Sequence, residues 1–111
     1  MAIKANIVID QGADFTAVVD LVDSDGNVYD LTGYTVAAQM RKNYTSSAAT
    51  TFTTSHSAAG GEISLSLTNT VTGALEPGRY LYDVEITRTS SGVITRVVEG
   101  VATVTPGMTR V

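Results

Sequence analysis

The segment from Leu75 to Arg88, LEPGRYLYDVEITR, restricts the fold more than any other part of the chain. Pro77-Gly78 imposes a turn, because proline fixes its own φ and glycine reaches backbone angles closed to other residues. Beyond the turn Tyr80, Tyr82, Val84 and Ile86 fall on one side, and Asp83, Glu85 and Thr87 on the other. That period of two is a half-buried strand, dry on one face and wet on the other, of the kind found in antiparallel sheets. A strand like this needs a second layer over its apolar side, so it reads as the central strand of a β-sandwich.

The rest of the chain repeats the pattern. Ile3 to Asp10 alternates as a first strand with a mixed outer face, which suggests an edge; Asp14 to Asp23 follows with Phe15, Ala17, Val19 and Leu21 inward. Asp23 to Asn27 carries an Asp-Gly hairpin signal, and Asn27 to Leu31 reads as a short returning strand anchored by Val28 and Leu31. Tyr34, Val36, Ala38 and Met40 line one face of a long strand that ends in Arg41. Lys42 to Thr51 reads as an exposed loop, Thr50 to Ser55 as a weak strand around Phe52, and Ala58 to Gly61 as a turn. Glu62 to Thr68 puts Ile63, Leu65 and Leu67 inward, and Asn69 to Glu76 reads as one helical turn with Val71 and Leu75 facing the core. Thr89 to Gly92 forms the last hairpin, and Val93 to Val104 the partner strand, with Gly100 marking a bulge or a bend. The expected fold is all-β: an antiparallel immunoglobulin-like β-sandwich of seven or eight strands with at most one short helical turn, in a single domain over residues 1–111.

Composition narrows the function classes. At 111 residues the chain has the size of one domain with one two-layer core. Its apolar fraction of 43% against 16% charged residues argues for a folded chain, and no apolar run approaches a membrane span. The alternating amino terminus lacks the continuous apolar core of a signal peptide and reads as part of the fold. With no cysteine, disulfides, thiolate metal sites and thiol chemistry drop out. A net charge of -4 with scattered cations speaks against nucleic-acid binding.

No catalytic, cofactor or metal site is expected. The acidic run Asp20, Asp23, Asp25, Asn27 and Asp30 has Tyr34 where a calcium loop counted from Asp23 needs its acidic twelfth residue, so it reads as a hairpin. His56, the single histidine, reads as a solvated loop residue between two serines, without a buried acid to orient it. Tyr80 and Tyr82 follow the Pro-Gly turn as the tyrosine corner of immunoglobulin-like sandwiches does, so one hydroxyl is expected to bond backbone there. Asp83 and Glu85 share the wet face of the central strand, with Arg41, Arg88 and Arg96 expected nearby, either as solvated ladder pairs or as a face that docks a partner. The candidate interface residues are Tyr29, Tyr34, Arg41, Tyr44, Asp83, Glu85, Arg96, Arg110 and Val111. Glycine spacing fits no phosphate-binding pattern.

Three segments taken together resemble a known family. Asp30-Leu-Thr-Gly-Tyr-Thr-Val36 leading into Gln39-Met-Arg-Lys42, then Gly61-Glu-Ile-Ser-Leu-Ser-Leu67, then Leu75 to Ile86 are similar to the immunoglobulin-like domain of tailed-bacteriophage structural proteins, in particular the amino-terminal domain of baseplate upper proteins. The likeness runs from about Ile7 to Val104. It implies a non-enzymatic virion component of a tail, baseplate, neck or capsid surface, assembled in the bacterial cytoplasm. Its partners would be other virion proteins or further copies of itself, with no nucleic acid and no membrane. The alternative expectation is a module that binds a host receptor or glycan through loops at one end of the sandwich, Lys42 to Thr51 and His56 to Gly61.

Overall fold

The Leu75–Arg88 segment forms the longest antiparallel connection in the molecule, as expected from its alternation. In the computed structural model, which describes residues 3–22, 25–43, 49–57 and 59–107, strand β8 (Gly78–Arg88) pairs with β4 (Tyr34–Arg41) on one side and β9 (Ile94–Thr105) on the other. Tyr82, Val84 and Ile86 are buried. Asp83, Glu85 and Thr87 face away from the core. The register Met40↔Tyr82, Ala38↔Val84 and Val36↔Ile86 places apolar partners side by side on the inner face, where cross-strand contact stabilises a sheet.

Beyond β8 and its two neighbours, the larger sheet contains β1 (Ile3–Lys4) and β2 (Ile7–Asp10) along β9, and β5 (Thr50–Thr51) along β4. The smaller sheet has the order β3 (Phe15–Asp20), β7 (Glu62–Leu67), β6 (Thr53–Ser57). In chain order the strands visit the smaller sheet at β3, the larger at β4 and β5, the smaller at β6 and β7, and the larger at β8 and β9. That is the Greek-key course of an immunoglobulin-like sandwich. Ile63, Leu65 and Leu67 of β7 meet Ile9, Ala38, Met40, Val84, Ile86, Val98, Ala102 and Val104 of the facing sheet in one buried cluster. Phe52 sits where the chain passes from β5 to β6 and is 2% exposed, its ring 6.1 Å from Phe15 and 6.2 Å from Tyr82. It ties the two layers at the crossing point.

Several local features differ from expectation, each for a physical reason. The first strand runs parallel to β9, against the antiparallel rule of the rest, and breaks at Ala5-Asn6. Asn27–Leu31 forms one bridge, Val22↔Val28, in place of a ladder strand; Leu31 is buried but Val28 is 55% exposed and anchors nothing. The hairpin itself reverses as expected, with Gly26 at φ 84°. The expected helical turn exists as α1 (Asn69–Gly73), but Val71 is 37% exposed and the buried residue is Thr72. Its hydroxyl donates to the Ala13 carbonyl at 2.8 Å and accepts from Gly12 N–H at 3.2 Å, so the helix clasps the β2–β3 turn through a polar pin.

Gly100 does not mark the bulge. The register slips at Val97 instead, since Val84 pairs with Val98 while Glu85 pairs with Arg96. The slip lets both Val97 and Val98 bury and turns Arg96 away from the core, where unbroken alternation would have aimed it beside Ile86. Gly100 serves a different contact: a methyl group there would overlap the Ala5 carbonyl oxygen. With no side chain in the way, the ring of Tyr82, which pairs with Gly100, extends across it and donates its hydroxyl to that same carbonyl. The tyrosine corner is present at Tyr80, whose hydroxyl donates to the Glu76 carbonyl at 2.9 Å, four residues upstream.

Candidate functional site

The outward residues of the larger sheet form rows across its strands. One row reads Arg41, Leu81, Val101; the next reads Thr51, Gln39, Asp83, Glu99, Lys4; a third reads Ala37, Glu85, Arg96. Asp83 and Glu99 are direct antiparallel neighbours on one face, a like-charge placement that destabilises by up to ~1 kcal/mol. Arg96 offsets it by reaching both carboxylates, Nε to Asp83 Oδ2 at 3.2 Å and Nη1 to Glu99 Oε2 at 3.3 Å. The bulge at Val97 makes this reach available. Because the Arg96 side chain remains 54% exposed, its net stabilisation is small.

These rows line a shallow depression of about 580 Å³. Asp83, Glu85 and Arg96 form its polar centre, Leu81 and Val101 its apolar part, and Lys4, Asn6 and Arg41 lie around them. Asn6 is held by its side-chain oxygen accepting from Val101 N–H at 3.1 Å, and Gln39 by donating to Thr51 Oγ1 at 3.3 Å while accepting from Arg41 at 3.2 Å. The surface is wide, of mixed charge and braced from side to side.

Of the residues singled out from the sequence, Arg41, Asp83, Glu85 and Arg96 come together here. Tyr29 and Tyr34 do not. They pack edge to face at 6.2 Å at the end of the sandwich that holds the β8–β9 hairpin, where Tyr34 pairs with Arg88. The Tyr29 phenol is raised above its ordinary pKa, mainly by its hydrogen bond to Tyr34 and then by burial. Tyr44, Arg110 and Val111 lie outside the described residues. Arg88 has the parity of the inner face and is not part of the charged rows. The pairing of Glu99 with Lys4 and the apolar pair Leu81 and Val101 were missed. Their signal was the interruption of a polar face by two aliphatic residues.

The other candidates read from the sequence fall elsewhere. His56 belongs to strand β6 opposite Ile63 rather than to a loop, and is exposed. Asp30 accepts from Thr32 N–H at 2.9 Å, and this hydrogen bonding lowers its carboxyl pKa, as a turn-capping aspartate requires. Among the described residues no group of acidic or histidine side chains is spaced to hold a metal ion, and no helix is long and apolar enough to cross a membrane. Residues 44–48 and 58 of the two loops expected to share one end lie outside the described residues, and the strands flanking the two loops lie at opposite ends: Thr50 pairs with Met40 near the start of β8, whereas Ser57 pairs with Glu62, next to Asp20 and the Val22–Val28 hairpin. At the first of these ends a smaller hollow of about 320 Å³ lies between β4 and the segment after α1, with Lys42 Nζ 4.8 Å from the centre of the Tyr80 ring.

Comparison with known protein families gives no matching family model, and comparison with curated proteins gives no significant match.

Proposed function

We propose that the chain is a non-enzymatic structural module of a tailed-bacteriophage virion, working by packing protein against protein in the tail, baseplate or neck or on the capsid surface. The observation that carries the reading is the outer face of the larger sheet. Leu81 and Val101 sit side by side there as an apolar pair, bordered by the row of charges that Arg96 braces. A protein interface combines aliphatic area with neighbouring polar groups, and mixed charges favour selection among partners over raw affinity. The viral part of the reading is supported by the resemblance, whose segments occupy β4, β7 and β8 with the Tyr80 corner, so they coincide with the strands that build this face and its support. The loop-based receptor alternative is weakened because the strands flanking its two loops lie at opposite ends.

The test uses gradient-purified particles from the strain that carries the gene. The chain is expected in the particle fraction, and Leu81→Arg, which places a cation in the apolar pair without touching the core, is expected to lower its incorporation at least about tenfold, the equivalent of 1.4 kcal/mol. Particles free of the chain, or unchanged incorporation of a folded Leu81→Arg variant, would overturn the reading.

A further inference from the structure

The smaller sheet has an empty strand position. In immunoglobulin-like sandwiches the sheet built on the second, fourth and fifth strands carries the first strand as well, next to the second. Here the N-terminal strand pairs with β9, so among the described residues β3 has one ladder partner, β7, and its other edge is vacant.

The hydrogen-bond parity of that edge follows from one contact. Leu21 N–H donates to the Gly61 carbonyl at 2.8 Å, and these two residues continue the β3–β7 register. Hydrogen-bonded and non-hydrogen-bonded pairs alternate along an antiparallel ladder. Phe15, Ala17 and Val19 therefore direct their backbone groups to β7, while Thr16, Val18 and Asp20 direct theirs to the vacant side. The edge carries few of the usual devices against pairing: over Phe15–Asp20 there is no proline, no lysine and no bulge, and its one charged side chain is Asp20 at the end of the strand. The outward side chain at its centre is Val18, 56% exposed.

We propose that this edge pairs with the same edge of a second copy, antiparallel about a two-fold axis at Val18, joining two smaller sheets into one continuous sheet. The occupant follows from register. Face parity restricts self-pairing to a few alignments. Centring on Ala17 sets Asp14 against Asp20 of the other copy, and centring on Val19 sets Val18 against Asp20. Centring on Val18 buries that valine against its own copy, sets Thr16 beside Asp20 as hydroxyl donor to carboxylate, and opposes no like charges. It also makes Thr16, Val18 and Asp20 the hydrogen-bonded positions, as their backbone groups require. A symmetric interface of this kind is self-complementary by construction. This surface is separate from the charged face of the larger sheet and does not depend on the assembly named above.

The absence of cysteine makes the test direct. In a hydrogen-bonded antiparallel pair the α-carbons lie about 5.5 Å apart, within disulfide reach. Val18→Cys should therefore cross-link to its own copy rapidly under mild oxidation. Thr16→Cys should not, because the two copies of that position are offset by about 14 Å along the strands, whereas the double variant Thr16→Cys, Asp20→Cys should. Val18→Lys, with its fold checked by circular dichroism, should weaken self-association measured by sedimentation equilibrium at least about tenfold. Cross-linking of Val18→Cys no faster than of Thr16→Cys would overturn the proposal. So would a chain that stays monomeric while a different protein protects the Thr16, Val18 and Asp20 amides.

Discussion

The two sheets share a core but differ at the edges flanking the β2–β3 turn. Among the described residues, the larger sheet is completed beside β9 by the N-terminal strand, and beside β3 the smaller sheet ends in open backbone. One residue accounts for much of the difference. Gly100 lets the Ala5 carbonyl approach β9 and lets Tyr82 reach across to it, so the N-terminal strand has a place to lock on the larger sheet. The outer faces differ in the same sense. The larger sheet carries braced charges beside an apolar pair, whereas the smaller has rows such as Thr16, Ser66, Thr53 and Val18, Ser64, Ser55, with little cross-bracing among the described residues. A chain of this size can invest its specific contacts in one surface and leave the other plain.

The largest effect should come from Gly100→Val. A branched side chain there evicts the N-terminal strand and exposes Ile9, which is 0% exposed in the native fold, so the loss should be about 3 kcal/mol or more in urea unfolding. Protection of the Ile7 and Ile9 amides should vanish with it. Thr72→Val comes next. Removing the hydroxyl strands the Ala13 carbonyl and the Gly12 N–H at the turn between the two edges, with an expected cost of about 1 to 3 kcal/mol.

Tyr82→Phe removes only the bond to Ala5 and should cost about 1 kcal/mol at neutral pH. It also changes the alkaline limb of stability. Burial raises the Tyr82 phenol pKa. Below about pH 10 folded and unfolded chains both hold the proton and the contribution is complete; above it the unfolded chain ionises first, so stability falls as pH rises towards the folded-state value. Tyr82→Phe should flatten that fall without abolishing it, since Tyr29 is shifted in the same direction. Smaller still is Arg96→Ala, which leaves Asp83 opposite Glu99 and should cost about 0.5 to 1 kcal/mol, less at high salt. Ser64→Ala on the plain face should fall within about 0.5 kcal/mol.

What the sequence disclosed, and what it hid, follows from the range of the interactions. Alternation in Tyr34–Arg41, Glu62–Leu67 and Gly78–Arg88 named the strands and their inward residues correctly, because burial acts residue by residue. The Tyr80 corner was legible because turn and tyrosine are four residues apart. Parallel pairing of the N-terminal strand was not, since Ile7 and Ala102 meet only through the finished sheet. Gly100 signalled an irregularity but not which kind, while the adjacent Val97-Val98, which breaks alternation, was the overlooked sign of the bulge. Thr72 gave no sign at all, as a buried threonine reads like any polar helix residue. For the site, parity alone brought Asp83, Glu85 and Arg41 to one surface, but Arg96 joins them only through the bulge at Val97, and the contribution of Lys4 depended on the hidden parallel strand.

Residue-resolved amide exchange on the dilute monomer addresses the closed edge and the open edge together. Ile7, Ile9 and the β9 ladder should be protected, while in β3 the amides of Ala17 and Val19 exchange slowly and those of Thr16, Val18 and Asp20 exchange freely. Uniform protection along β3 at concentrations where the chain is monomeric, or free exchange of Ile7 and Ile9, would contradict a sandwich completed on one sheet and left vacant on the other.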